Sequence, residues 1–213
     1  MKNNLVLTGV TFCGIALAAY LAVLAPAYIA YVGYRPISGD VIFQSHSRNK
    51  LVDAIEGVTE SRISHCGIVG REDSQWVVYE AIGSGVQVTP LGTYLFRGRA
   101  GGYSVYRLKP EHQVHVPETL RYTQTYLGKP YDIRYRMDDE KIYCSELIYK
   151  AYQQASGDAL GQLDRFGDLN WQPHESAITY FEGGPVPLDR EMITPIGLSK
   201  ANQLEKVYSF NFE

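Results

Sequence analysis

Runs with strand character fill residues 39–108, and the two longest stretches with helical periodicity come only after them. That order constrains the fold more than any other feature. Strands joined by short polar turns must pair antiparallel, because a parallel pair needs a crossover of a dozen or more residues. Gly39–Gln44, Ser64–Gly70, Gln75–Ala81, Gly85–Thr89 and Tyr103–Leu108 run apolar or alternate as strands do, with turn residues at 71–74 and 83–85. Lys50–Gly57 and Leu91–Phe96 read as short helices between them. Pro117–Leu127 reads as a helix with proline early and Gly128 at its stop. Tyr143–Ala155 carries Leu147, Ile148, Ala151, Tyr152 and Ala155 on one stripe and ends at Gly157. Gly161–Pro187, rich in glycine and proline, reads as irregular, and Val207–Phe212 as a closing strand. The expected class is α+β, an antiparallel sheet or barrel packed on the late helix.

The N-terminus differs in kind. No charged residue occurs from Leu5 to Gly33, and Leu5–Leu24 alone has about the 20 residues that span a bilayer. An uncleaved transmembrane anchor is the first reading. A cleaved signal using Ala25-Pro26-Ala27 is the second, although the apolar run is long for one. Cys13 makes a poor lipoprotein site, because bulky Phe12 precedes it. Two segments are expected: residues 1–34 as anchor or signal, and residues 35–213 as the folded domain. Either reading places that domain outside the cytosol: anchored in a bacterial periplasm or cell envelope, or secreted if the segment is cleaved. Net charge is -3, so no basic surface points to nucleic acid. The 17 tyrosines against 2 tryptophans suit half-buried strand positions in a β-rich fold.

Three residues carry the expected chemistry. Cys144 opens the late helix, where unpaired N–H groups and the positive end of the macrodipole favour a thiolate. His65 lies in Ile63-Ser64-His65-Cys66-Gly67-Ile68-Val69 and suits a general base and acid on a rigid strand. Glu80 interrupts an apolar strand that should pair with the histidine strand, and a carboxylate there needs a partner. His65 is the nearest, so Glu80 becomes the third member of a triad. The competing readings are a buried structural cysteine, a hydrogen-bonded structural histidine and a solvated glutamate. Alternation puts Cys66 on the strand face opposite His65, away from the cleft. Cys66 and Cys144 are expected to be reduced, since pairing would consume the nucleophile. No C-x-x-C or H-x-x-x-H spacing supports a metal, and nothing implies an organic cofactor.

Five pieces in register resemble the circularly permuted branch of the NlpC-type papain-like cysteine hydrolases, the YiiX-like family. They are Gly39–Gln44, Ser64–Val69, Val78–Ala81, Leu127–Asp132 and Tyr143–Tyr149, and the tail Ile193–Leu198 is similar too. The resemblance implies a permuted papain-like fold and a Cys–His–Glu triad on Cys144, His65 and Glu80. By the same analogy Tyr131 lines the active site or helps hold an oxyanion; a packed aromatic after Pro130 is the alternative. Tyr143 and Gln44 join it as substrate-binding candidates.

The activity this implies is a thiol hydrolase that cleaves an amide through an acyl-enzyme. Its lead substrate is a cell-wall peptide or peptidoglycan fragment, with the membrane as a partner through the N-terminal segment. One alternative is a lipid-directed acyltransferase or thioesterase at the bilayer. Another is a silent binding module that uses the groove for recognition only.

Overall fold

Six strands form one antiparallel sheet, in the order Gly85–Pro90, Gln75–Ile82, His65–Glu72, Val41–Gln44, Tyr103–Leu108 and Leu204–Phe210. The structure, a computed structural model, describes residues 33–212. The elements are β1 (Val41–Gln44), α1 (Lys50–Val58), β2 (His65–Glu72), β3 (Gln75–Ile82), β4 (Gly85–Pro90) and α2 (Leu91–Arg97). They continue with β5 (Tyr103–Leu108), α3 (Val116–Thr125), α4 (Cys144–Ser156), β6 (Asp164–Arg165), α5 (Glu175–Glu182), β7 (Glu191–Met192), α6 (Pro195–Ser199) and β8 (Leu204–Phe210). The expected α+β class and antiparallel sheet are what the chain adopts. The expected transmembrane segment falls almost entirely on residues 1–32, outside the described residues. No helix among the described residues is long and apolar enough to cross a membrane.

The central strands β1 and β2 are fully buried up to Gly70, so the sheet is covered on both faces. One face carries Cys66, Ile68 and Tyr79, in a single cluster with Cys144, Ile148 and Tyr152 of α4. Gly67 faces the other way, against α2. A Cβ there would meet Val78 Cγ1 at 2.4 Å and Tyr94 Cε2 at 3.1 Å, so the glycine lets Tyr94 approach the strand. Tyr94 is fixed by donating to Ile42 O at 2.9 Å.

Helix α4 begins where Glu146 Oε2 accepts from the Tyr143 N–H at 3.1 Å, and it stops at Gly157 with φ 82. That is the capping logic of an acidic residue at the third position and a left-handed glycine at the end. Its first two turns are buried almost all round. Burying one side chain such as Leu147 contributes about 1.5–3 kcal/mol.

One expectation needs correcting. The segment Gly161–Pro187 is not wholly irregular: it contains β6, two 3-10 turns and the two-turn helix α5. β6 pairs with β7 as a small second sheet. This excursion leans on α1, where Gly57 has no side chain and His174 occupies the space a Cβ would need.

Candidate active site

His65 is the first residue of β2, and Glu80 lies on the neighbouring strand β3. Nε2 of His65 is 2.6 Å from Glu80 Oε2, with both residues buried. That bond leaves Nδ1 as the ring nitrogen not taken by Glu80, and the Cys144 sulfur interacts with the imidazole. The structure therefore brings Cys144, His65 and Glu80 together.

The electrostatics follow from that arrangement. Burial alone would lower the His65 pKa, but the bonds to Cys144 and then Glu80 raise it to about 9. Burial pushes Glu80 up, yet the His65 bond and the Arg97 charge bring it down to about 2. Cys144 is held well below its usual value by its hydrogen bond to Cys66, against burial, and then by His65. A thiolate–imidazolium pair beside an ionised carboxylate is the state these shifts favour.

Two partners of Glu80 had no sequence signal. Thr89 Oγ1 donates to Oε1 at 2.5 Å, and Arg97 donates to Oε2. The register explains Thr89: Glu80 lies opposite Gln87, so Thr89 is the diagonal neighbour on the same face. Arg97 arrives at the last position of α2. His46 lies ring to ring with His65 at a centroid distance of 4.3 Å. Burial and then the His65 and Arg97 charges lower its pKa to about 3, so it stays neutral.

Two expectations are revised, and two candidates are placed. Cys66 does lie on the opposite strand face from His65, but α4 packs on that face, so its thiol meets the Cys144 sulfur. Burial and then the Cys144 charge raise the Cys66 pKa well above its usual value, which keeps it a thiol donor. Both cysteines are free. Tyr143 is buried like Cys144 beside it, at 0 % exposure, and its hydroxyl donates to Met137 Sδ and accepts from the Ile193 N–H. Gln44 is also fully buried, directly opposite His65 in the β1–β2 register, with its side-chain amide nitrogen 3.2 Å from His46 Nε2. Finally, the candidate catalytic groups are not open to solvent: Cys144 is 0 % and His65 3 % exposed.

Tyr131 is half-buried and belongs to a loop anchored at the start of α4. Asp132 N donates to Ile142 O and Ile142 N to Pro130 O, which closes the loop two residues before Cys144. Inside it, Asp132 accepts from the Arg134 and Arg136 N–H groups and bends the chain so that Tyr135 takes φ 55. A left-handed tyrosine is a strained residue that its surroundings must hold in place. The hydroxyls of Tyr131 and Tyr135 are 3.0 Å apart. Burial and then the Cys144 charge raise the Tyr135 pKa.

Comparison with known proteins agrees with this architecture. Residues 35–208 match the model of the permuted papain-like amidase enzymes of the YaeF/YiiX, C92 family. The chain is 33% identical over 190 residues to the uncharacterized protein YiiX of Escherichia coli strain K12, covering 88% of this chain and 91% of that one. It also superposes on the crystal structure of metalloprotein yiiX from Escherichia coli O157:H7 with a TM-score of 0.75 and 30% identity. That match covers 84% of this chain and all (100%) of the other. The chain belongs to the permuted papain-like amidase family of YaeF and YiiX.

Proposed function

We propose that this protein is a cysteine amidase in which Cys144 is the nucleophile, His65 the general base and acid, and Glu80 the group that orients the imidazole. The His65–Glu80 bond at 2.6 Å carries the reading, because it fixes the ring so that Nδ1 serves the sulfur. The Cys144 thiolate attacks the amide carbonyl and forms a C–S bond. Unpaired N–H groups at the start of α4 and the Tyr131 hydroxyl stabilise the oxyanion. His65 then gives its proton to the leaving amine, and the C–N bond breaks. Water, deprotonated by His65, releases the acid and restores Cys144.

A peptide-type amide is the lead substrate, with cell-wall peptides first. The charge-free segment 5–33 supports placing this activity at the cell envelope. The solved relative is described as a metalloprotein, and the residues here do not fit a metal at this site. Both Glu80 oxygens are taken by His65, Arg97 and Thr89, and a guanidinium stands where a cation would bind. Among the described residues no group of three or more His, Cys, Asp or Glu gathers to hold one.

The test is turnover of a panel of muropeptides and N-acyl amino acids by the full chain and by Cys144→Ala, with intact-mass detection of the acyl-enzyme. Turnover with an adduct on Cys144, both lost in the variant, supports the assignment. Turnover that survives Cys144→Ala overturns it.

A further inference from the structure

We infer that Cys66 is a resolving thiol for Cys144: when hydrogen peroxide oxidises Cys144, Cys66 closes a reversible Cys66–Cys144 disulfide that switches the site off and spares the sulfur from irreversible loss. The inference concerns the sulfur itself, so it stands or falls apart from any choice of amide substrate.

Two neighbouring elements bring the sulfurs together. Cys144 is the first residue of α4, and Cys66 is the second residue of β2, on the strand face that α4 covers. β1 holds that strand in place, with Cys66 opposite Phe43. β3 pairs with β2 only from Ile68 onward, so that ladder stops short of Cys66. Beyond its end, the backbone N–H and the thiol of Cys66 both turn to the Cys144 sulfur. The two cysteines are free and fully buried. Sulfurs in hydrogen-bond contact are a short approach from the separation of about 2.05 Å that a disulfide requires.

The chemistry closes in two steps. The Cys144 thiolate attacks one oxygen of the peroxide, which is little larger than water and needs far less room than an amide. An S–O bond forms, the O–O bond breaks, and the departing hydroxide takes the His65 imidazolium proton and leaves as water. Sulfur is oxidised by two electrons to a sulfenic acid, and the peroxide is reduced. The Cys66 sulfur then attacks Cys144. An S–S bond forms, the S–O bond breaks, and the thiol proton leaves with the hydroxyl as a second water. The first step also frees Cys66 to react. After burial, it is the bond to Cys144 and the Cys144 charge that keep Cys66 protonated, and the sulfenic acid carries no charge. A dithiol reverses the bridge by exchange, itself becoming a disulfide and returning both thiols. With no resolving thiol, a second peroxide takes the sulfenic acid to a sulfinic acid, which a dithiol does not restore.

The test exposes the full chain to graded hydrogen peroxide, quenches it with N-ethylmaleimide and maps its peptides without reduction. The peptides of Cys66 and Cys144 should appear joined, lighter by two hydrogens than the free pair. Iodoacetamide labelling of Cys144 in mildly acidic solution should be lost, then regained almost entirely after dithiothreitol. In Cys66→Ser, doses that consume the same fraction of Cys144 should yield its sulfinic acid, and dithiothreitol should regain little labelling. If Cys66→Ser does not fold, the joined peptide of the wild type decides alone. Three results in the wild type overturn the inference. They are Cys144 sulfinic acid with no joined peptide, a lasting sulfenic acid beside a free Cys66, and a bridge from Cys144 to Cys13 in place of Cys66.

Discussion

Arg97 donates to the same oxygen of Glu80, Oε2, that bonds His65 Nε2. The guanidinium therefore keeps the carboxylate ionised while the imidazole uses it as an anchor. With Cys144 as thiolate and His65 as imidazolium, the four groups sum to no net charge, which is how a buried ionic cluster becomes tolerable. Arg97→Gln should lower kcat/KM about tenfold, a part of the 10²–10⁴ that a positioned base provides. Glu80 would then take up its proton at a higher pH, and the acid limb of the pH–rate profile should move toward neutrality. A limb that stays in place would remove Arg97 from the account.

Stability should pass through a maximum in mildly acidic solution. Glu80 has a folded pKa near 2, below its ordinary 4.5, so its contribution is present above about 4.5 and is lost as pH falls toward 2. His65 has a folded pKa near 9, above its ordinary 6.5, so its contribution is complete below about 6.5 and is lost as pH rises through 9. Glu146, pushed up by burial from its ordinary 4.5 to about 8, gives a contribution that is full below about 4.5 and is lost as pH rises through 8. Thermal melts across pH should show Tm falling at both ends, and Glu146→Gln should flatten the fall between about pH 4.5 and 8.

Cys66→Ala should raise the pKa of Cys144. The Cys66 thiol is the foremost stabiliser of that thiolate, and alanine cannot donate. The acid limb of kcat/KM should shift to higher pH while the high-pH plateau changes little. An unmoved limb would mean that the two sulfurs do not communicate.

Tyr131→Phe should reduce kcat by roughly 100- to 1,000-fold with little change in KM, as expected when an oxyanion donor is removed. Tyr135 would keep its ring contact with Tyr143, so far-ultraviolet circular dichroism should be unaltered. Equal losses in kcat and gains in KM would instead make Tyr131 a substrate-positioning aromatic.

The sheet was legible because its strands carry their own signatures: alternation, β-branched residues and short polar turns. The cysteine helix was legible for the same reason, with an apolar stripe and a terminal glycine. Helix α5 was not, because only eight residues of periodicity lie among Pro173, Gly183, Gly184 and Pro185. In the site, His65, Glu80 and Cys144 could be singled out one by one, each unusual in its local context. Arg97, Thr89 and His46 look ordinary in sequence and matter through register and topology alone. Cys66 shows the limit most clearly. Alternation gave its strand face correctly, but no local pattern says which face of a sheet a later helix will cover.

The most direct test of the account is the thiolate absorbance near 240 nm followed from acid to alkaline pH in wild type, Cys144→Ala and His65→Ala. Wild type should already carry a thiolate at about pH 6, well below the range of an ordinary thiol. Cys144→Ala should lack it, and His65→Ala should show it only at alkaline pH. A wild-type thiolate that appears only near pH 9, together with that of His65→Ala, would contradict the paired sulfur and imidazole on which the mechanism stands.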